Sequence, residues 1–156
     1  MTASRSVHAS AVRVGERAVL IRGPSGAGKS RLAFNLILAG RAGQLPPAIL
    51  VGDDRVHLDT VGGQLQVRPA PELAGLIEVR GLGIRRCEFV NEAPIGLVVD
   101  LAAHDAERLP PPEALAIRLN GVILPRIPIG TGYDPLPLIA AELTTTAGSG
   151  LSPTFG

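Results

Sequence analysis

A chain of 156 residues, 46% hydrophobic and 19% charged, is long enough to bury one sizeable core and too apolar to stay disordered. A formal net charge of +1, with three Phe, one Tyr and no Trp, argues against nucleic acid as main partner: there is no basic excess and little aromatic surface for stacking along a strand. The single Cys87 excludes an internal disulfide or a cysteine zinc cluster and suits a reducing cytoplasm, and no apolar run approaches the ~20 residues of a membrane span. Met1–Arg5 lacks the apolar centre of a signal peptide, and nothing repeats at a fixed period.

In chain order, Ser6–Val14 reads as a strand, Gly15-Glu16 as a tight turn, and Ala18–Arg22 as a second strand, so an opening hairpin is expected. It feeds Gly23-Pro24-Ser25-Gly26-Ala27-Gly28-Lys29-Ser30, the G-x-x-x-x-G-K-S phosphate loop, and a helical pattern follows at once. Gly23, Gly26 and Gly28 let the backbone aim N–H groups at phosphate oxygens, where a Cβ would obstruct. The helix N-terminus adds roughly half a positive charge at the same spot. Lys29 can reach the β- and γ-phosphates of a nucleoside triphosphate, and the Ser30 hydroxyl can hold Mg²⁺.

The helix is expected to end near Gly40, a plausible C′ glycine. Ala48–Val51 is a short all-apolar strand running into Gly52-Asp53-Asp54, a Walker-B-like ending with two carboxylates at the edge where open α/β sheets bind ligands. Residues 55–60 and 64–68 read as a hairpin turning at Val61-Gly62-Gly63, Pro71–Gly75 as one helical turn, and Leu76–Arg80 as a strand before Gly81-Leu82-Gly83. Cys87 falls in an expected strand, where it would be buried and inert. Gly96–Leu101 is another buried strand ending in acid, 114–119 and 122–124 form a hairpin at Asn120-Gly121, and Leu136–Thr144 is a final helix. The sum predicts one α/β domain over residues 1–146, a P-loop core with a mixed sheet and extra hairpins, and a flexible tail at 147–156.

Three blocks in this order resemble the bacterial HPr kinase/phosphorylases: Gly23–Ser30, Val51–Val56 and Leu76-Ile77-Glu78-Val79-Arg80-Gly81-Leu82-Gly83-Ile84. The last is the most specific, because general P-loop enzymes have no counterpart to it. Val7-His8-Ala9 looks like the family's histidine before its first hairpin, and Glu107-Arg108-Leu109 like its E-R-L segment. The resemblance spans roughly residues 6–143, the family's catalytic domain, and looks like a shortened form without the usual extra N-terminal domain. It implies a cytoplasmic kinase that uses ATP and Mg²⁺ to phosphorylate a serine of the phosphocarrier HPr. Many members also reverse the step, inorganic phosphate releasing pyrophosphate from phosphoserine. The implied fold is related to phosphoenolpyruvate carboxykinase, and the implied assembly is a homo-oligomer, commonly a hexamer.

Under that resemblance Asp53 is the general base, since a serine hydroxyl barely ionises and a carboxylate must take its proton as the O–P bond forms. Asp54 is then a metal or water ligand, or an ion-pair partner of Arg55, unless both acids merely cap a turn. Glu78 resembles the family's second Mg²⁺ ligand, its plain alternative being an outward polar position; Arg80 would orient a phosphate or pair with Glu78. His8 resembles an active-site histidine on the strand beside the P-loop strand, where a structural histidine is the alternative; His57 and His104 read as surface residues. Arg108 would bring positive charge to the transferring phosphoryl group, against a plain surface salt bridge. The stretch Ile127-Pro128-Ile129-Gly130-Thr131-Gly132-Tyr133 departs from the family's V-P-V-R-P-G-R: both loop arginines are gone, which implies weak phosphorolysis. The competing functions are an ATP-sensing module without catalysis and a small-molecule kinase.

Overall fold

The computed structural model describes residues 6–148, so the part of the expected tail from 149 onward lies outside the described residues. In chain order the elements are β1 (Ser6–Val7), β2 (Ser10–Val14), β3 (Arg17–Arg22), α1 (Lys29–Arg41), β4 (Ala48–Gly52), β5 (Val56–Val61), β6 (Gln64–Pro69), β7 (Leu76–Val79), β8 (Gly83–Arg86), β9 (Ala93–Asp100), β10 (Ala116–Leu119), β11 (Val122–Pro128) and α2 (Leu136–Thr144). Single 3₁₀ turns at Pro71–Leu73 and Pro112–Leu115 complete them.

The runs that read as all-apolar, β3 and β9, are buried on both faces, and they pair in parallel at the centre of a nine-stranded mixed sheet. Its path is β1-β5-β6-β9-β3-β2-β4, with β11 parallel to the C-terminal half of β9 and β10 antiparallel to β11. The class expected from sequence is therefore the one observed, an α/β domain with a mixed sheet and several hairpins. Alternation along β3 separates two cores. Val19 and Ile21 face α1 together with Leu32, Leu36 and Ile139, while Ala18 and Leu20 face Val56, Leu65 and Val67 on the curled side. Leu36 is wholly buried, and its truncation to Ala is worth about 2–5 kcal/mol on the usual cavity scale.

Three local expectations are corrected. The opening strand is not continuous: the chain bends at His8-Ala9, so β1 pairs with β5 while β2 pairs with β3 and β4. The helix ends near Gly40, at Arg41, but Gly40 is not its C′ glycine: it lies inside the last turn, where a Cβ would sit 2.7 Å from the Ala48 backbone nitrogen. The stop is Gly43 at φ 77°, with Gln44 N–H donating to Ala39 C=O and Gly43 N–H to Gly40 C=O, a Schellman arrangement. Cys87 lies just after β8, not in a strand, and is half-buried against the helix-side core; burial pushes its thiol pKa up. Among the described residues no helix is long and apolar enough to cross a membrane.

Candidate active site

The phosphate loop leaves β3 at Gly23, where even a Cβ would come within 3.0 Å of Leu101 at the end of β9. Gly26 (φ 82°) and Gly28 (φ 100°) hold the left-handed turns that bring the loop round to the start of α1, with Gly28 as its N-cap. No acidic side chain occupies the first turn, so the helix N-terminus keeps its positive end for an anion. Lys29 folds back over the loop and donates to the carbonyls of Gly23 (2.7 Å) and Pro24 (3.1 Å).

Ser30, the next residue, points at β4. Its hydroxyl lies 2.8 Å from each oxygen of Asp53, which is only 3% exposed. The same carboxylate accepts a bond from Ser10 Oγ at 2.6 Å and from the Glu78 backbone N–H at 3.0 Å. Every one of these groups donates, so Asp53 is an acceptor throughout, and three donors offset the burial of its charge. Sequence folds it this way through a bulge. Val12 pairs with Leu50 and Ala11 with Gly52, so Val51 is an extra residue that tilts the end of β4 under Ser10. Gly52 has no room for a side chain, since a Cβ would approach Val56 to 2.8 Å and Pro69 to 3.2 Å.

The adjacent acids diverge. Asp54 takes a left-handed conformation (φ 68°) and is exposed, and among the described residues no ion pair joins it to Arg55. Glu78 sits on β7 of the separate β7–β8 hairpin; its backbone closes the Asp53 site while its side chain is exposed. His8 is exposed at the bend between β1 and β2, which corrects its expected placement on the strand beside β3; the strand residue there is Ser10. Arg108 is exposed in the loop after β9 and has no hydrogen bond or ion pair among the described residues, and His104 in that loop is exposed too, whereas His57 is half-buried on β5. The structure thus brings together Ser30, Asp53 and the Glu78 backbone around the loop, and leaves His8, Asp54 and Arg108 on the surface.

Two features went unread in the sequence. Ser10 is fully buried, and its only signal was a hydroxyl inside an apolar strand. The second is a charge network at the ends of the three parallel strands, beside Gly23. Arg22 grips Asp100 with both Nε (2.7 Å) and Nη2 (2.8 Å); Arg126 donates to Asp100 (2.6 Å), to Asp105 (2.8 Å) and to the Ala114 carbonyl (2.9 Å). Burial of the Asp100 carboxyl opposes its ionisation, but the bonds and charges of Arg22 and Arg126 outweigh it and hold its pKa below the usual carboxylate range. This network lines a cavity of about 570 Å³ that opens next to Gly23.

Strand, loop, helix and buried acid together define a class: a P-loop α/β domain whose phosphate-loop strand lies inside a mixed sheet. The family model described as HPr Serine kinase C-terminal domain matches residues 1–116. The HPr kinase/phosphorylase of Mycoplasma mycoides subsp. mycoides is 30% identical over 150 residues, covering 87% of this chain and 46% of that protein. The HPr kinase/phosphorylase of Neisseria meningitidis serogroup C is 36% identical over 126 residues, 76% of this chain and 37% of that one. A solved structure, the Hpr(Ser) kinase/phosphatase from Coxiella burnetii, superposes with a TM-score of 0.70 at 26% identity, covering 89% of this chain and 93% of that chain. The chain belongs to the HPr serine kinase C-terminal domain family, as the three sequence blocks led one to expect. It spans less than half the length of those two curated relatives.

Proposed function

We propose that this chain is the catalytic domain of a cytoplasmic serine kinase that uses ATP and Mg²⁺ to phosphorylate an HPr-like phosphocarrier protein. The observation that carries this reading is the Ser30–Asp53 contact, in which the phosphate-loop hydroxyl and a buried strand-end carboxylate meet directly. A module that only senses ATP has no need of such an acid. The names of the relatives supply the acceptor, HPr, and family resemblance supplies assembly as a homo-oligomer, a hexamer.

Mg²⁺ prefers hard oxygen donors and takes only a few from protein beside the phosphate oxygens. The Ser30 hydroxyl and the exposed carboxylates of Asp54 and Glu78, which have no hydrogen bond or ion pair among the described residues, are such donors and would hold it. When bound, the ion supplies charge neutralisation at the β- and γ-phosphates. The backbone N–H groups of Ser25, Gly26, Gly28, Lys29 and Ser30 cradle the phosphates, and the Lys29 ammonium exchanges its two loop carbonyls for phosphate oxygens. Asp53 then takes the proton from the acceptor serine as that oxygen attacks the γ-phosphorus and the bond from phosphorus to the β,γ-bridging oxygen breaks, releasing ADP; Arg108 and His8 bring charge and a hydrogen-bond donor to the transferring group from the surface.

The reverse step, phosphorolysis of phosphoserine by inorganic phosphate to give pyrophosphate, is weak in this reading. Inorganic phosphate beside phosphoserine needs cationic forks, and the Gly130–Gly132 loop offers none. Arg126 is no substitute, because its guanidinium is committed to Asp100, Asp105 and Ala114. The reading is tested by incubating the protein with ATP, Mg²⁺ and HPr and examining HPr by mass spectrometry. Phosphoserine on HPr is the expected result, and its absence with a correctly folded, ATP-binding protein overturns the assignment.

A further inference from the structure

A second cavity, of about 560 Å³, adjoins the first at Leu101 and Ala102 and lies between α1 and the loop joining β11 to α2. One wall is Gly26–Gly28 itself; another is Arg31 and Asn35, one turn apart on the same face of α1. The third is the turn Gly130–Asp134. The glycine loop accounts for the phosphates of a nucleotide, and this space accounts for what extends beyond them: its volume is in the ordinary range for small-molecule sites.

The lining is specific. Tyr133 is the chain's one tyrosine, and it stays 75% exposed although the turn that carries it is fixed by its own N–H donating to Gly130 C=O at 3.2 Å. Its ring lies against Gly130, where an added Cβ would come within 3.3 Å of it. An aromatic face is thus presented at the cavity rather than packed in a core. Asn35 is half-buried in the facing wall, and its carboxamide, a donor and an acceptor side by side, has no hydrogen-bond partner among the described residues.

We propose that this cavity is the nucleoside subsite: the Tyr133 ring stacks on the purine and the Asn35 carboxamide reads its edge, with the phosphates running back into Gly26–Lys29. The inference rests on the reading of the glycine loop as a triphosphate site, and the test separates the two. Because the chain has one Tyr and no Trp, its intrinsic emission reports Tyr133 alone. ATP and tripolyphosphate, each with MgCl₂, are titrated by calorimetry and by that emission, corrected for nucleotide absorbance. In the wild type, ATP is expected to quench the emission and to bind more tightly than tripolyphosphate, which leaves the emission unchanged. Tyr133→Ala is expected to weaken ATP by roughly tenfold, Tyr133→Phe to keep wild-type affinity, and neither to alter tripolyphosphate binding. Asn35→Ala is expected to narrow the preference for ATP over triphosphates carrying other bases. Unchanged ATP affinity in both alanine variants, with tripolyphosphate still bound, overturns the subsite and leaves the phosphate loop standing. Failure of both ligands to bind the wild type overturns the triphosphate reading and the subsite with it.

Discussion

Replacing Asp53 by Asn separates proton acceptance from structure. One oxygen of Asp53 receives Ser10 and Ser30, and the other receives Ser30 and the Glu78 backbone N–H. The backbone donor cannot rotate, so the carboxamide that replaces the carboxylate must aim its oxygen at Glu78 and its NH₂ at Ser10. Hydroxyls can turn to accept, so no buried group is orphaned and the fold survives. The loss is of charge-assisted character in these bonds, about 1–2 kcal/mol of stability. Phosphoryl transfer is expected to fall by roughly 10²–10⁴, the range for removing a general base, with ATP affinity near normal. Asp54→Asn, by contrast, changes an exposed residue whose left-handed backbone Asn tolerates, so stability should move by less than about 0.5 kcal/mol. The assay is phosphoserine formation on HPr under ATP and Mg²⁺ saturation, beside calorimetric ATP affinity and thermal unfolding of each variant. An Asp53→Asn enzyme within a few-fold of wild type would refute the assignment, and the large loss appearing in Asp54→Asn instead would reverse the roles within the pair.

Lys29→Ala is expected to abolish transfer while leaving the thermal midpoint nearly unchanged, because among the described residues Lys29 bonds only to the loop carbonyls of Gly23 and Pro24; near-wild-type turnover would remove the loop from the chemistry. Phosphoserine-HPr with millimolar phosphate and no ATP should yield pyrophosphate far more slowly than the forward rate, and comparable rates would overturn the reading of the Gly130–Gly132 loop. Asp100→Asn should cost about 2–3 kcal/mol at neutral pH by leaving Arg22 and Arg126 short of their shared anion, measured by urea unfolding. Burial works against the Asp100 charge but the two arginines prevail and depress its folded pKa, so its contribution is whole above the ordinary carboxylate value and lost as pH falls through the lower folded one. The stability gap between wild type and variant should therefore be flat from about pH 5 upward and shrink below about pH 4; a gap that persists undiminished to pH 2 contradicts the network.

What the sequence carried was what local chemistry dictates. A G-x-x-x-x-G-K-S run between an apolar strand and a helix has one geometry, and Asn120-Gly121 at positive φ makes the turn of the β10–β11 hairpin as composition demands. What it did not carry was set across the sheet. Ser10 and Asp53 meet because Val51 is an extra residue in one register, and a register shift leaves no trace in composition. Arg22 and Asp100 each stood at the end of an expected strand; only the parallel alignment of β3, β9 and β11 puts their charges together with that of Arg126. The bend at His8-Ala9 was hidden for a similar reason. The β-branched pattern runs through it, and only the pairing of β1 with β5 breaks the strand. Gly40 misled by chemistry that was sound in general, since a glycine near a helix end is usually a stop, but here it makes way for the Ala48 backbone.

That bend has a kinetic meaning. β1 and β2 are two residues apart in the chain, yet β1 lies at one end of the sheet path and β2 near the other, so the opening segment ties the ends of the sheet together. Closure of this kind depends on contacts between residues far apart in sequence, which folding reaches late because long loops must be shut first. The carboxylate at the centre of the site inherits that lateness, for its bonds to Ser10, Ser30 and Glu78 span 43, 23 and 25 residues. A partly folded chain would already possess the glycine loop and its helix, which are local, without an acid in place beside them. Ability to hold phosphate would come first, and ability to move it only once the sheet has closed.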